Sequence, residues 1–145
     1  MSSEVPLRGC QRVIASIWFG LAGTLFAMLV FESLTDHFGS SQGPVLSWFL
    51  SSVSPSLGLI VAVLAMDAQS KAQGERTVDS FFYKVAVGLS SGYLLALWAV
   101  VVFGQMRNAP GGLPDVISQS GQWLSVLQGL VTASLGVFFV KRKDG

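Results

Sequence analysis

Few side chains in this sequence could do chemistry, and they do not converge. The single histidine, His37, has Asp36 beside it. A second histidine for a metal pair does not exist, and no cysteine or serine elbow lies near it to act as a nucleophile. The one cysteine, Cys10, rules out an internal disulfide and any cluster of thiolate ligands. Neither a G-x-x-x-x-G-K-[ST] phosphate loop nor a G-x-G-x-x-G turn occurs. The residues therefore predict no enzyme, with no catalytic residue, no cofactor and no metal centre.

What remains are polar groups set in apolar surroundings. Glu32 is the one carboxylate inside an expected membrane span, and an intramembrane carboxylate is a functional candidate by default. It lies about two residues from the outer end of its helix, where water and headgroups lower its cost, so an interface carboxylate is the simpler reading. In a functional role it would gather cations at an outer mouth with Asp36, or pair with Arg107 or His37. Gln128 sits deeper in its apolar run and should bond a helix neighbour, either a serine of the second helix or a copy of itself.

Ser47, Ser51, Ser54, Gly58, Ala62 and Ala65 recur at helical steps of three and four, a hydroxylated and then small stripe running past Pro55. Two readings stay open. The hydroxyls could return to carbonyls of an earlier turn and offset the backbone bond that Pro55 removes. Alternatively the stripe faces water in a pore, and the proline supplies a bend.

The elements that must position these groups are membrane helices. Hydrophobic residues make up 51% of the 145 residues and charged residues 12%, about half the ~25% of a soluble domain. Mean hydropathy is +0.59. Four apolar segments of about 20 residues, the length that crosses a ~30 Å hydrocarbon core, fall at 13–34, 45–66, 81–104 and 122–140. The fold expected is all-α, a single polytopic membrane domain of four transmembrane helices in a compact bundle. Pro55 makes the second segment a kinked crossing, or else a re-entrant piece from Leu46 to Val53. Asp79 or Ser80 is placed to cap the third helix, and the run Pro110, Gly111, Gly112, Pro114 reads as a link. The first segment exceeds the apolar core of a cleavable signal and no A-x-A site follows, so it is expected to remain as a helix.

Orientation follows from the basic residues, which short loops retain on the cytoplasmic side. Of the 9 lysines and arginines, all but Arg107 fall on one side of a four-span chain. They are Arg8 and Arg12 before the first span, Lys71, Arg76 and Lys84 around the second link, and Lys141, Arg142 and Lys143 at the end. Both termini are thus expected to be cytoplasmic, in a bacterial inner membrane. Arg8, Arg12 and the basic tail could also attract anionic lipid, while a net charge of +1 argues against nucleic acid.

Helices in lipid associate through close packing of small residues and through buried hydrogen bonds. Helix three offers Gly88, Gly92 and Ala96, helix four Ser125, Gly129 and Ala133, and helix one Ser16, Gly20 and Thr24, all at four-residue intervals. Such seams either hold one bundle together or join copies of it. A four-helix chain is too small to enclose an aqueous path, so conduction would need a homo-oligomer.

In size and hydropathy the chain resembles the compact multi-span proteins that bacteria encode beside cytosolic sensors, among them membrane-disrupting effectors of antiphage systems. It differs from small multidrug transporters, whose essential glutamate lies mid-helix in the first span. The expectation is a homo-oligomeric inner-membrane protein that forms or gates a pore, answering a signal at the Asp67 to Ser80 link and the termini. The alternative is a non-catalytic accessory subunit that binds another membrane protein.

Overall fold

In the computed structural model, which describes residues 3–35, 42–69, 77–106 and 112–139, the chain enters through strand β1 (Glu4–Pro6) and passes directly into helix α1 (Leu7–Leu34). Helix α1 therefore begins at Leu7 rather than near Val13. Its added turns carry Arg8, Gln11 and Arg12, residues that an apolar-run argument cannot see. At ~1.5 Å per residue its 28 residues extend ~42 Å, longer than a ~30 Å core, so the basic end can stand clear of hydrocarbon.

Helix α2 (Gln42–Gln69) takes Pro44 into its first turn, where a missing N–H costs nothing because that donor has no intrahelical partner. It runs unbroken through Pro55, one helix and not a re-entrant pair. Strand β2 (Thr77–Asp79) follows, then helix α3 (Ser80–Met106). Asp79 caps α3: its Oδ1 accepts the Phe81 N–H at 2.8 Å. Helix α4 (Gly112–Phe139) starts ten residues before the expected Gln122, and here the sequence expectation is corrected. The Pro110 to Pro114 run reads as link in the sequence, yet Pro114 lies in the first turn of α4, the one helical site that tolerates it. Gly112 opens that turn at φ 39°, a left-handed conformation that glycine adopts without a Cβ clash.

Strands β1 and β2 pair antiparallel, with Glu4 opposite Asp79 and Pro6 opposite Thr77. Thr77 Oγ1 donates to Glu4 Oε2 at 2.8 Å, and the Ser80 N–H to the Ser3 carbonyl at 3.0 Å. The ribbon clasps the amino terminus to the start of α3, so α1 and α2 form an up-and-down pair.

Among the described residues three helices are long and apolar enough to cross a membrane: α1, α2 over Gln42–Ala65, and α3. Helix α4 is not among these three. The fold is thus all-α, with three helices that could cross a membrane, consistent with a multi-pass membrane protein. Helix α3 packs most extensively on α4, α4 also on α2, and α1 on both α3 and α2, which makes a four-cornered bundle with α1 diagonal to α4 and α2 to α3. Ile14, Trp18, Leu25 and Leu29 of α1 meet Phe49 and Ile60 of α2, Leu94 and Leu97 of α3, and Val131 and Leu135 of α4 along the axis.

Candidate functional site

Halfway along the bundle the apolar core is interrupted by a layer of hydrogen bonds built around Pro55. A proline has no N–H, so the carbonyl of Ser51, four residues earlier, loses its helical donor. The Gln128 amide of α4 fills that role, donating from Nε2 to the Ser51 and Ser52 carbonyls, each at 3.2 Å. Tyr93 reaches the same place from the opposite corner, its hydroxyl donating to the Ser52 carbonyl at 2.9 Å. Tyr93 is 1% exposed, and its ring centroid lies 6.1 Å from that of Trp18 of α1. All four helices thus contribute one side chain or carbonyl to this level, which is the midpoint of α3.

Helices α2 and α3 run in opposite directions, so stepping one turn from the Ser52–Tyr93 contact brings Ser56 and Ser90 to a common depth. Both are fully buried, and neither hydroxyl has a hydrogen-bond partner among the described residues, nor has Trp18 Nε1. The layer contains no carboxylate, histidine or lysine. It cannot relay protons between acids and bases, but it can fix the geometry of α2 at its proline by hydrogen bonds whose loss leaves an acceptor unpaired in hydrocarbon.

Polar ties also close the two ends. At the amino-terminal end, buried Gln11 donates to the Phe138 carbonyl at 2.7 Å, joining the start of α1 to the last turn of α4 across the diagonal. At the opposite end Gln105 Nε2 donates to both carboxylate oxygens of Glu32 at 2.6 Å, and the Gln42 amide to Ser33 Oγ. Glu32 is therefore engaged by α3; the Asp36, His37 and Arg107 suggested as its companions lie outside the described residues. So do Lys71 and Arg76 of the second link and the basic tail from Lys141 to Lys143. Trp98 Nε1 donates to the Leu21 carbonyl at 3.2 Å, so this mid-helix indole ties α3 to α1.

The residues singled out for their small size face away from the core. Ser47, Ser51, Ser54 and Gly58 are exposed along one side of α2. Gly88 and Gly92 are exposed on α3, with Ala96 half-buried beside them, and Ser125, Gly129 and Ala133 are exposed on α4. A Cβ added at Gly20, Gly58, Gly88, Gly92 or Gly129 would meet nothing within 4 Å. Gly104 is the contrast: a methyl there would overlap the Leu113 side chain and come to 3.0 Å of its Cα, so this glycine lets α3 and α4 close together. The outward hydroxyls of Ser16, Thr24, Ser51 and Ser125 each donate to the carbonyl four residues earlier at 2.6–2.8 Å, which satisfies them without water.

Sequence reasoning placed Gln128 on a helix neighbour but missed Tyr93, Ser52, Ser56, Ser90, Gln11 and Gln105. A tyrosine and a glutamine inside or flanking apolar runs carry the same signal as Gln128, an obligate donor that must find an acceptor. The serines carry none, because their hydroxyls can be met within their own helix.

No family model matches the sequence, and neither a curated protein nor a solved structure matches it.

Proposed function

We propose that this chain is a four-span protein of the bacterial inner membrane, both termini cytoplasmic, whose copies assemble side by side and form or gate a pore between them. The observation that carries the reading is the outward placement of the hydroxyl and glycine faces. Small residues on a lipid-facing surface gain nothing from lipid, whereas they allow close approach by another helix. Since the interior of one chain is filled by Trp18, Tyr93, Phe49 and leucines, any aqueous path must run between copies. The Ser47, Ser51 and Ser54 face of α2 is the most hydroxylated surface available to line it.

Helix α4 completes the crossing count, because Gln11 holds its last turn beside the first turns of α1 and the four helices alternate in direction. The β1–β2 ribbon joins the amino terminus to the segment before α3, so a cytosolic protein acting on either would pull on both. The outward Gly88–Gly92 face equally suits a different membrane protein, and the accessory-subunit reading rests on that same observation.

Reconstitution decides between them. Vesicles holding the purified chain alone should leak a small dye or ions, and Ser51→Leu with Ser54→Leu should abolish the leakage while helicity and incorporation stay unchanged. Tight vesicles under every condition, with the chain recovered only alongside another membrane protein, would contradict the pore and favour the accessory role.

A further inference from the structure

Between α1 and α2 the bundle leaves an apolar groove of about 520 Å³, walled by Phe19, Phe26, Phe49, Leu50 and Val61, with Gly23 and Gly58 on its sides. The stacked rings of Phe26 and Phe49, 5.9 Å apart, mark its far end. Counting back from that pair along two antiparallel helices puts Val61 at about the level of residue 14, within a turn of Arg12. The groove therefore runs ~18 Å from near Arg12 to the Phe26–Phe49 pair.

Arg8, Arg12, Ser16, Phe19, Gly23 and Phe26 fall within about 40° of one line along α1, and all are exposed. Arg12 and Arg8 thus continue the line of the groove's α1 wall beyond its Val61 end, by ~3 Å and ~9 Å along the axis. At this end the Glu4 carboxylate accepts from Thr77 Oγ1 and the Asp79 carboxylate from the Phe81 N–H.

We propose that this groove is a binding site for one anionic phospholipid, its phosphate on Arg8 and Arg12 and one acyl chain along α1 and α2. The lining selects the occupant. It is apolar except for Ser54, so what fills it is hydrocarbon, and an alkyl chain makes such contacts at ~4 Å between carbons. The groove's depth also matches, because one leaflet contributes about half of a ~30 Å core, close to the groove's run. A second copy of this chain would bring apolar bulk but no phosphate to the arginines.

The site requires only α1 and α2 side by side in a bilayer, and so goes beyond the pore reading. Ser54 and Gly58 belong both to the groove wall and to the outward α2 face, whereas Ser47 and Ser51 lie outside the groove lining, so a lipid in the groove leaves those two hydroxyls of that face uncovered. Lipid binding is therefore measured by itself. The full chain, purified in mild detergent and given equal phosphatidylglycerol and phosphatidylcholine with identical tails, is weighed by native mass spectrometry. One phosphatidylglycerol per chain is expected, preferred about 30-fold through two charges at an anionic headgroup. Arg8→Gln with Arg12→Gln should erase the preference while some lipid stays bound, and Gly23→Leu with Gly58→Leu, which fills the groove, should remove the lipid with helicity unchanged. No retained lipid, or a preference that survives the arginine changes, would overturn the site; so would a groove-filled variant that loses oligomer mass while keeping its lipid. If the leucine variant fails to fold, the arginine arm decides alone.

Discussion

Gln128 and Pro55 form a reciprocal pair: one lacks a donor that its helix needs, and the other carries a donor that its helix cannot use. The proline withdraws a hydrogen bond from the Ser51 carbonyl, and the glutamine of another helix restores it. Interhelical hydrogen bonds in membranes are worth about 0.6 to 1.7 kcal/mol, so Gln128→Leu should destabilise the bundle by about 1 kcal/mol in a bicelle unfolding assay. Pro55→Ala gives Ser51 its own helical donor again, and in that background the same Gln128→Leu change should cost clearly less. Equal costs in the two backgrounds would show that the amide is not replacing the proline's bond. Gln128 was legible in the sequence because a lone amide in an apolar run must be paired. Its acceptor was not legible, since the carbonyl it meets is set by how α4 lies against α2, and no residue type encodes that contact.

The helices show why small residues alone do not reveal which surfaces touch. Gly88, Gly92 and Gly104 of α3 are all separated by multiples of four residues, but of the three only Gly104 meets a neighbour. Leu113 presses against it because α4 starts early, at Gly112, and brings its first turn beside the end of α3. Gly104→Ala should therefore cost about 1–3 kcal/mol through overpacking in the same unfolding assay. Gly88→Leu with Gly92→Leu should leave that stability within about 0.5 kcal/mol, as surface substitutions do, and should instead reduce association between chains. Should the Gly88 and Gly92 changes unfold the monomer, the outward assignment of this face would be wrong. Helix existence and order were readable from hydropathy, whereas the helix starts were not: Arg8, Gln11 and Arg12 extend α1 as polar residues, and Pro44 and Pro114 look like breakers yet lie in first turns.

For the whole molecule, alternating helices place the amino terminus, the β1–β2 ribbon and the last turn of α4 at one end. The proposed four-span orientation turns this end to the cytoplasm. In a Cys10→Ser background, single cysteines introduced at Ser3 and Thr77 should resist a membrane-impermeant thiol reagent in intact cells, and one at Leu34 should react with it. Reaction at Ser3 with protection at Leu34 would invert the orientation. The central claim is larger than topology: from a filled core and outward small-residue faces, we propose that the chain acts by lateral assembly. The most direct test is the mass of the chain extracted with its surrounding lipid into polymer-bounded nanodiscs, never passing through detergent. Several copies of the 15.4 kDa chain in each particle, falling to one copy with Gly88→Leu and Gly92→Leu, is the result the account predicts. A single copy in particles from the unaltered chain, with no other protein present, would contradict it.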